Sequence, residues 1–135
     1  MHPHADRSAL LRREVGLLRA RESRRIFDPM VSVGLLGARR ESFVVRAQDL
    51  PAVDSGLCVD VVSGMLAATS TEAPEAWLTR PGSPAPHDMD LQWLAAALIA
   101  SAMHGRLLHG FYAITRSGWL DVRSGEQRSW KRLRL

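Results

Sequence analysis

The sequence predicts an α+β domain with a mixed sheet of five or six strands and three helices, in the order α-β-β-α-β-α-β-β-β. Three observations predict it. Segments with apolar residues at helical spacing alternate with short runs rich in β-branched and aromatic residues. A strand–helix–strand connection occurs twice, and such crossovers put parallel strands into a sheet. The C-terminal segment alternates polar and apolar residues around two Ser-Gly pairs, the pattern of a three-stranded meander.

The first helix is expected over about Ser8 to Arg25. Leu10, Leu11, Val15, Leu17 and Leu18 fall on one side, and Arg12, Arg13, Arg19 and Arg24 on the other. Asp6 or Ser8 suits its N-cap, and Asp28-Pro29 ends the pattern because a residue before proline avoids the helical region. Met30–Leu36 and Ser42–Ala47 read as a hairpin turning at Ala38–Glu41. Val33-Gly34-Leu35-Leu36-Gly37 reads as a bend or a close approach of backbone. A second helix follows from about Leu50 or Pro51 to Ala68, with Leu57, Cys58, Val61, Val62, Met65 and Leu66 as its apolar stripe. Ala76–Thr79 is a short third strand.

The third helix, about Met89 to Met103, has Asp88 as the expected N-cap and Gly105 just past its end. From Leu91 to Met103 only Gln92 and Ser101 interrupt its apolar residues, so it is expected to be buried on more than one side, as a core element or a self-association surface. The last three strands are expected at Phe111–Arg116, Trp119–Arg123 and Arg128–Leu135.

The 135 residues fit one domain, 1–135, and 46% hydrophobic with 24% charged residues argues for a packed core over disorder. The single cysteine, Cys58, excludes an internal disulfide and a Cys-rich zinc site. No apolar run is long enough for a membrane helix, and the first 25 residues lack the apolar stretch of a signal peptide, so a cytoplasmic protein is expected. All 18 Lys+Arg residues except Lys131 are arginine. A GC-rich genome writes arginine everywhere, so placement informs more than number. Net charge is +4 over residues 1–25, −3 over 26–118 and +3 over 119–135. Separation of this kind steers anionic partners.

Catalytic motifs are sparse. His87, Asp88 and Asp90, with Arg80 across the proline-rich loop, form the densest titratable cluster. Histidine with two carboxylates suits a divalent metal or acid–base work. The plainer reading has Asp88 capping the helix, Asp90 complementing its dipole and His87 in solvent. His104 and His109 flank a helix end without zinc-ligand spacing, and His2 and His4 sit at the terminus. Cys58 lies on an apolar stripe, as an inert thiol would. Glycine patterns for phosphates or dinucleotides are missing. No metal or cofactor is expected, and the reading leans away from an enzyme.

The stronger feature is the meander. With Ser117-Gly118 and Ser124-Gly125 as two-residue loops, Arg116 faces Trp119, and Trp119 faces Trp130. One face then carries Tyr112, Arg116, Trp119, Arg123, Arg128, Trp130, Arg132 and Arg134, and the other carries Phe111, Ala113, Leu120 and Val122. An open face of this composition suits a protein partner, self-association, or a nucleic acid whose bases stack on aromatics. The expected function is therefore a binding or interaction module. The alternatives are a structural homo-oligomer subunit built on the third helix, and a small metal-dependent hydrolase at the 80–90 loop.

Overall fold

A computed structural model describes residues 3–46 and 54–131, and the side chains from residue 7 onward within them. Its elements follow the expected order: α1 Pro3–Arg21, β1 Met30–Gly34, β2 Arg40–Val44, α2 Ser55–Ala67, β3 Glu75–Thr79, α3 Asp88–Met103, β4 Gly110–Ile114, β5 Gly118–Asp121 and β6 Gln127–Ser129. One sheet holds all six strands in the order β2-β1-β3-β4-β5-β6. The central pair β3–β4 is parallel, joined by the α3 crossover, and every other pairing is antiparallel.

The sheet is covered on both faces. On one, α2 and α3 pack over Val31, Val33, Ala76, Leu78 and Phe111 through Cys58, Val62, Leu66, Trp93, Ala97 and Ala100. On the other, α1 lays Leu11, Val15 and Leu18 over Trp77, Tyr112, Ile114 and Trp119. Strands buried on both faces have no polar side to show, which is why β3 and β4 are buried throughout.

Several boundaries differ from expectation for local reasons. α1 stops at Arg21, short of the expected Arg25, because residues 19–25 offer no large apolar side chain to the sheet. The first hairpin turns at residues 35–39, closed by Leu35 N–H to Arg39 O at 3.3 Å, so β2 begins before Ser42. Gly34 sets this position: its φ is +152°, and a Cβ there would lie 2.4 Å from Arg39 O. α2 is capped by Asp54, whose carboxylate accepts from Leu57 N–H at 2.8 Å; the expected start at Leu50 or Pro51 falls outside the described residues. His87, not Asp88, caps α3: its Nδ1 accepts from Met89 N–H at 3.1 Å, while Asp90 reaches back to His87 N–H at 3.0 Å. Gly105 takes the left-handed conformation expected past the helix end, with φ +65°.

α3 is buried on its inner side alone. Trp93, Ala96, Ala97 and Ala100 face the sheet, while Leu91, Leu98, Ile99 and Met103 are exposed. The expectation of burial on more than one side is not met within one chain, because α2 packs beside α3 and no layer lies outside it.

Burial under α1 raises the pKa of the Tyr112 phenol from 10.0 to about 12, first through desolvation and then through the nearby Glu75 carboxylate. The neutral phenol therefore supports the fold fully below its ordinary value, and this contribution is lost as pH rises through the folded value. Tyr112 is the sole tyrosine in the chain, so phenolate absorbance reports it alone. The expected midpoint is about 12 in the folded protein and 10.0 in denaturant. Equal midpoints in the two states would mean that α1 leaves the phenol open to water.

Candidate partner-binding groove

Both meander turns are offset from the two-residue loops read at the Ser-Gly pairs. Ile114 pairs with Trp119, and Thr115 closes the first turn, its N–H donating to Gly118 O at 2.8 Å and its hydroxyl oxygen accepting from Gly118 N–H at 3.2 Å. Gly118 belongs to β5, where a Cβ would meet Arg128 O at 2.0 Å. In the second turn Asp121 accepts through its carboxylate from Arg123 N–H and Ser124 N–H, making a four-residue loop over 122–125. Trp119 therefore pairs with Arg128 rather than Trp130. Each register moves by an even step, so Tyr112, Trp119 and Arg128 still share a face, whereas Arg116 and Arg123 of the expected set fall in the turns.

The expected openness of that face does not survive. Tyr112 and Trp119 are 5% and 2% exposed under α1. α1 is fixed there by buried carboxylates as well as by leucines. Glu14, buried, forms a two-pronged pair with Arg40, whose guanidinium lies 4.7 Å from the Trp77 ring. Glu75, also buried, accepts from Leu36 N–H at 3.1 Å and meets Arg7 of α1 at 2.5 Å. No sequence pattern marked these two acids as buried.

Where α1 ends its cover, a groove of about 460 Å³ opens between the helix and β5–β6. Trp119 and Trp130 line it from the sheet with Arg128, and Ser8, Ala9, Arg12 and Arg13 line it from α1. Arg12 stacks over the half-buried Trp130 ring at 5.7 Å. Its described lining carries three arginines and no carboxylate. The Trp119 indole N–H is buried without an acceptor among the described residues, although such donors ordinarily find one.

The structure thus brings together Trp119, Arg128 and Trp130 from the expected set. Arg116 sits in the β4–β5 turn beside a different cavity with Arg25 and Phe27. Arg123 is exposed and ties the second turn to Leu108 O at 3.0 Å. Arg132, Arg134 and His2 lie outside the described residues. Arg12 and Arg13 were missed as site residues: they read as solvated charge, and nothing local says which surface an amphipathic helix will cover.

The 80–90 cluster is organised as a structural plug. Arg80, 3% exposed, donates Nε and Nη2 to the two Asp90 oxygens at 2.7 and 2.9 Å. Its other donors go to Pro81 O, Ser83 O and Ala85 O, at 3.1, 2.9 and 2.9 Å. All five guanidinium N–H groups are thereby used in folding the loop. Asp88 is exposed at the first turn of α3. Arg80 and His87 line a cavity of about 520 Å³ that Asp88 and Asp90 do not reach. Among the described residues no His, Cys, Asp and Glu cluster fits a metal ion. Ser63 Oγ and His104 Nε2 lie 2.8 Å apart and tie α2 to the end of α3; Ser63 is mid-helix, where the neighbouring backbone N–H groups are committed to the helix. Burial raises the Cys58 thiol above its usual pKa, with Asp54 adding to the effect, so it stays a protonated core residue.

No protein-family model matches the chain, and no curated protein matches it in sequence. No helix among the described residues is long and apolar enough to cross a membrane.

Asp90→Ala strands a buried guanidinium and should destabilise the protein by about 3–5 kcal/mol in urea unfolding. Asp88→Ala should stay within about 0.5 kcal/mol of the parent. The reverse order would show that Asp88 is the cap and Asp90 a surface charge.

Proposed function

We propose that the protein is a non-catalytic binding module, and that its recognition surface is the groove between α1 and β5–β6. The partner is a protein segment with carboxylates flanking an apolar or aromatic residue. The carrying observation is the lining itself: two tryptophans on the floor and three arginines on the walls. Tryptophan and arginine dominate binding energy at protein interfaces, where a desolvated pocket takes an apolar anchor and charges at the rim set orientation. Burial of Tyr112 and Trp119 argues against a nucleic-acid platform, because stacking needs open aromatic faces and only Trp130 is half-open in this groove. A cytoplasmic setting fits the lone buried thiol.

Peptides selected from a random display library on the full chain should carry Asp or Glu around an apolar anchor. Trp130→Ala should weaken the selected peptides by on the order of 2 kcal/mol, about thirty-fold in Kd. Arg128→Glu should abolish selection of acidic sequences. Single-stranded oligonucleotides should bind weakly, only at low salt, and equally well to Trp130→Ala. Tight oligonucleotide binding lost in Trp130→Ala, with no peptide selected, would replace this reading with a nucleic-acid one.

A further inference from the structure

The outer side of α3 is apolar along its length. Leu91, Leu98, Ile99 and Met103 are 58%, 42%, 51% and 68% exposed, and Leu107 just beyond the helix is 74% exposed. These five side chains leave on the order of 600 Å² of apolar surface in water. That is the upper end of a monomer's largest patch, and most of the ~800 Å² per partner in a stable interface. The patch lies on the opposite side of the sheet from the α1 groove, so the two surfaces are independent.

Spacing along the helix indicates what covers it. Leu91, Ala95, Leu98 and Ala102 step by four, three and four residues, the seam of a helix pair. The seam alternates large and small. Run antiparallel against itself, it sets Leu91 opposite the partner's Ala102, and Ala95 opposite the partner's Leu98. Every layer then joins a large side chain to a small one, as ridges fill grooves. Run parallel, it would set leucine on leucine and alanine on alanine, leaving gaps between clashes.

The ends agree with the antiparallel choice. Asp88 is exposed at the N-terminal end, while Arg106, half-buried just beyond the C-terminal end, gives one Nη to Leu66 O at 2.6 Å and keeps its net positive charge there. Antiparallel packing brings Asp88 toward the partner's Arg106 and opposes the helix dipoles, whereas parallel packing brings Asp88 against its own copy. We infer that a second copy of this chain docks here, α3 against α3, antiparallel about a two-fold axis. The dimer leaves both α1 grooves open, so it is bivalent toward a partner carrying two copies of the recognised segment.

Sedimentation equilibrium of the full chain should give twice the 15.0 kDa chain mass at on the order of 100 μM. Leu98→Glu and Ala95→Glu, both at solvent-facing positions, should each raise the dimer Kd at least a hundred-fold while keeping the parent's circular dichroism. Chains carrying Leu91→Cys mixed with chains carrying Ala102→Cys should form a disulfide dimer that neither forms alone. A monomeric parent at that concentration overturns the inference and leaves the face to a foreign helix. A dimer indifferent to both glutamate variants, or one in which Leu91→Cys links to itself, overturns it as well.

Discussion

The constraint on which the structure depends is that β3 and β4 lie in the middle of the sheet with no face turned to water. Two-sided burial requires a layer on each side, and the chain has one helix to spare for the second. α1 is therefore the element that completes the fold. It brings leucines for the aromatic floor, and it also brings charge into the seam, where Glu14 meets Arg40 and Arg7 meets Glu75. Paired carboxylates of this kind contribute little net stability, since desolvation offsets the attraction. They do penalise any other placement of α1 that would leave them buried and alone, and so they fix where the helix sits along the sheet.

From that placement the groove follows. α1 is long enough to cover Tyr112, Ile114 and most of Trp119, but β6 at the sheet edge extends past it, and Trp130 stays half-covered. The arginines on the far side of α1's apolar stripe then stand next to the sheet's own Arg128. A surface of mixed origin results, with half of it supplied by an element more than a hundred residues away in sequence.

The order of elements was legible in the sequence because each is short, periodic and punctuated. The faces of the meander were legible too: a turn offset by an even step exchanges partners but not sides. The layer that covers a face was not legible. Trp119 and Trp130 looked alike among their arginines, and only the docking of α1 separates a buried ring from a half-open one. Glu14 and Glu75 read as ordinary surface acids for the same reason. At the 80–90 loop the sequence announced a dense titratable cluster without disclosing that Arg80 spends every donor on holding the loop. α3 was the opposite case. Its uniformly apolar pattern correctly marked a helix with no solvent-adapted side, but a single chain supplies a cover for only one of its faces.

The cover of α1 over the aromatic face is the claim on which the rest stands, and the four tryptophans report on it directly. Trp77, Trp93 and Trp119 are 1%, 2% and 2% exposed, while Trp130 is half-buried. Acrylamide quenching of the native protein should reach a single tryptophan, and Trp130→Phe should remove that quenchable fraction while the shielded emission remains. A second accessible tryptophan that persists in Trp130→Phe would place Trp119 in water, and would contradict an α1 that closes this side of the sheet.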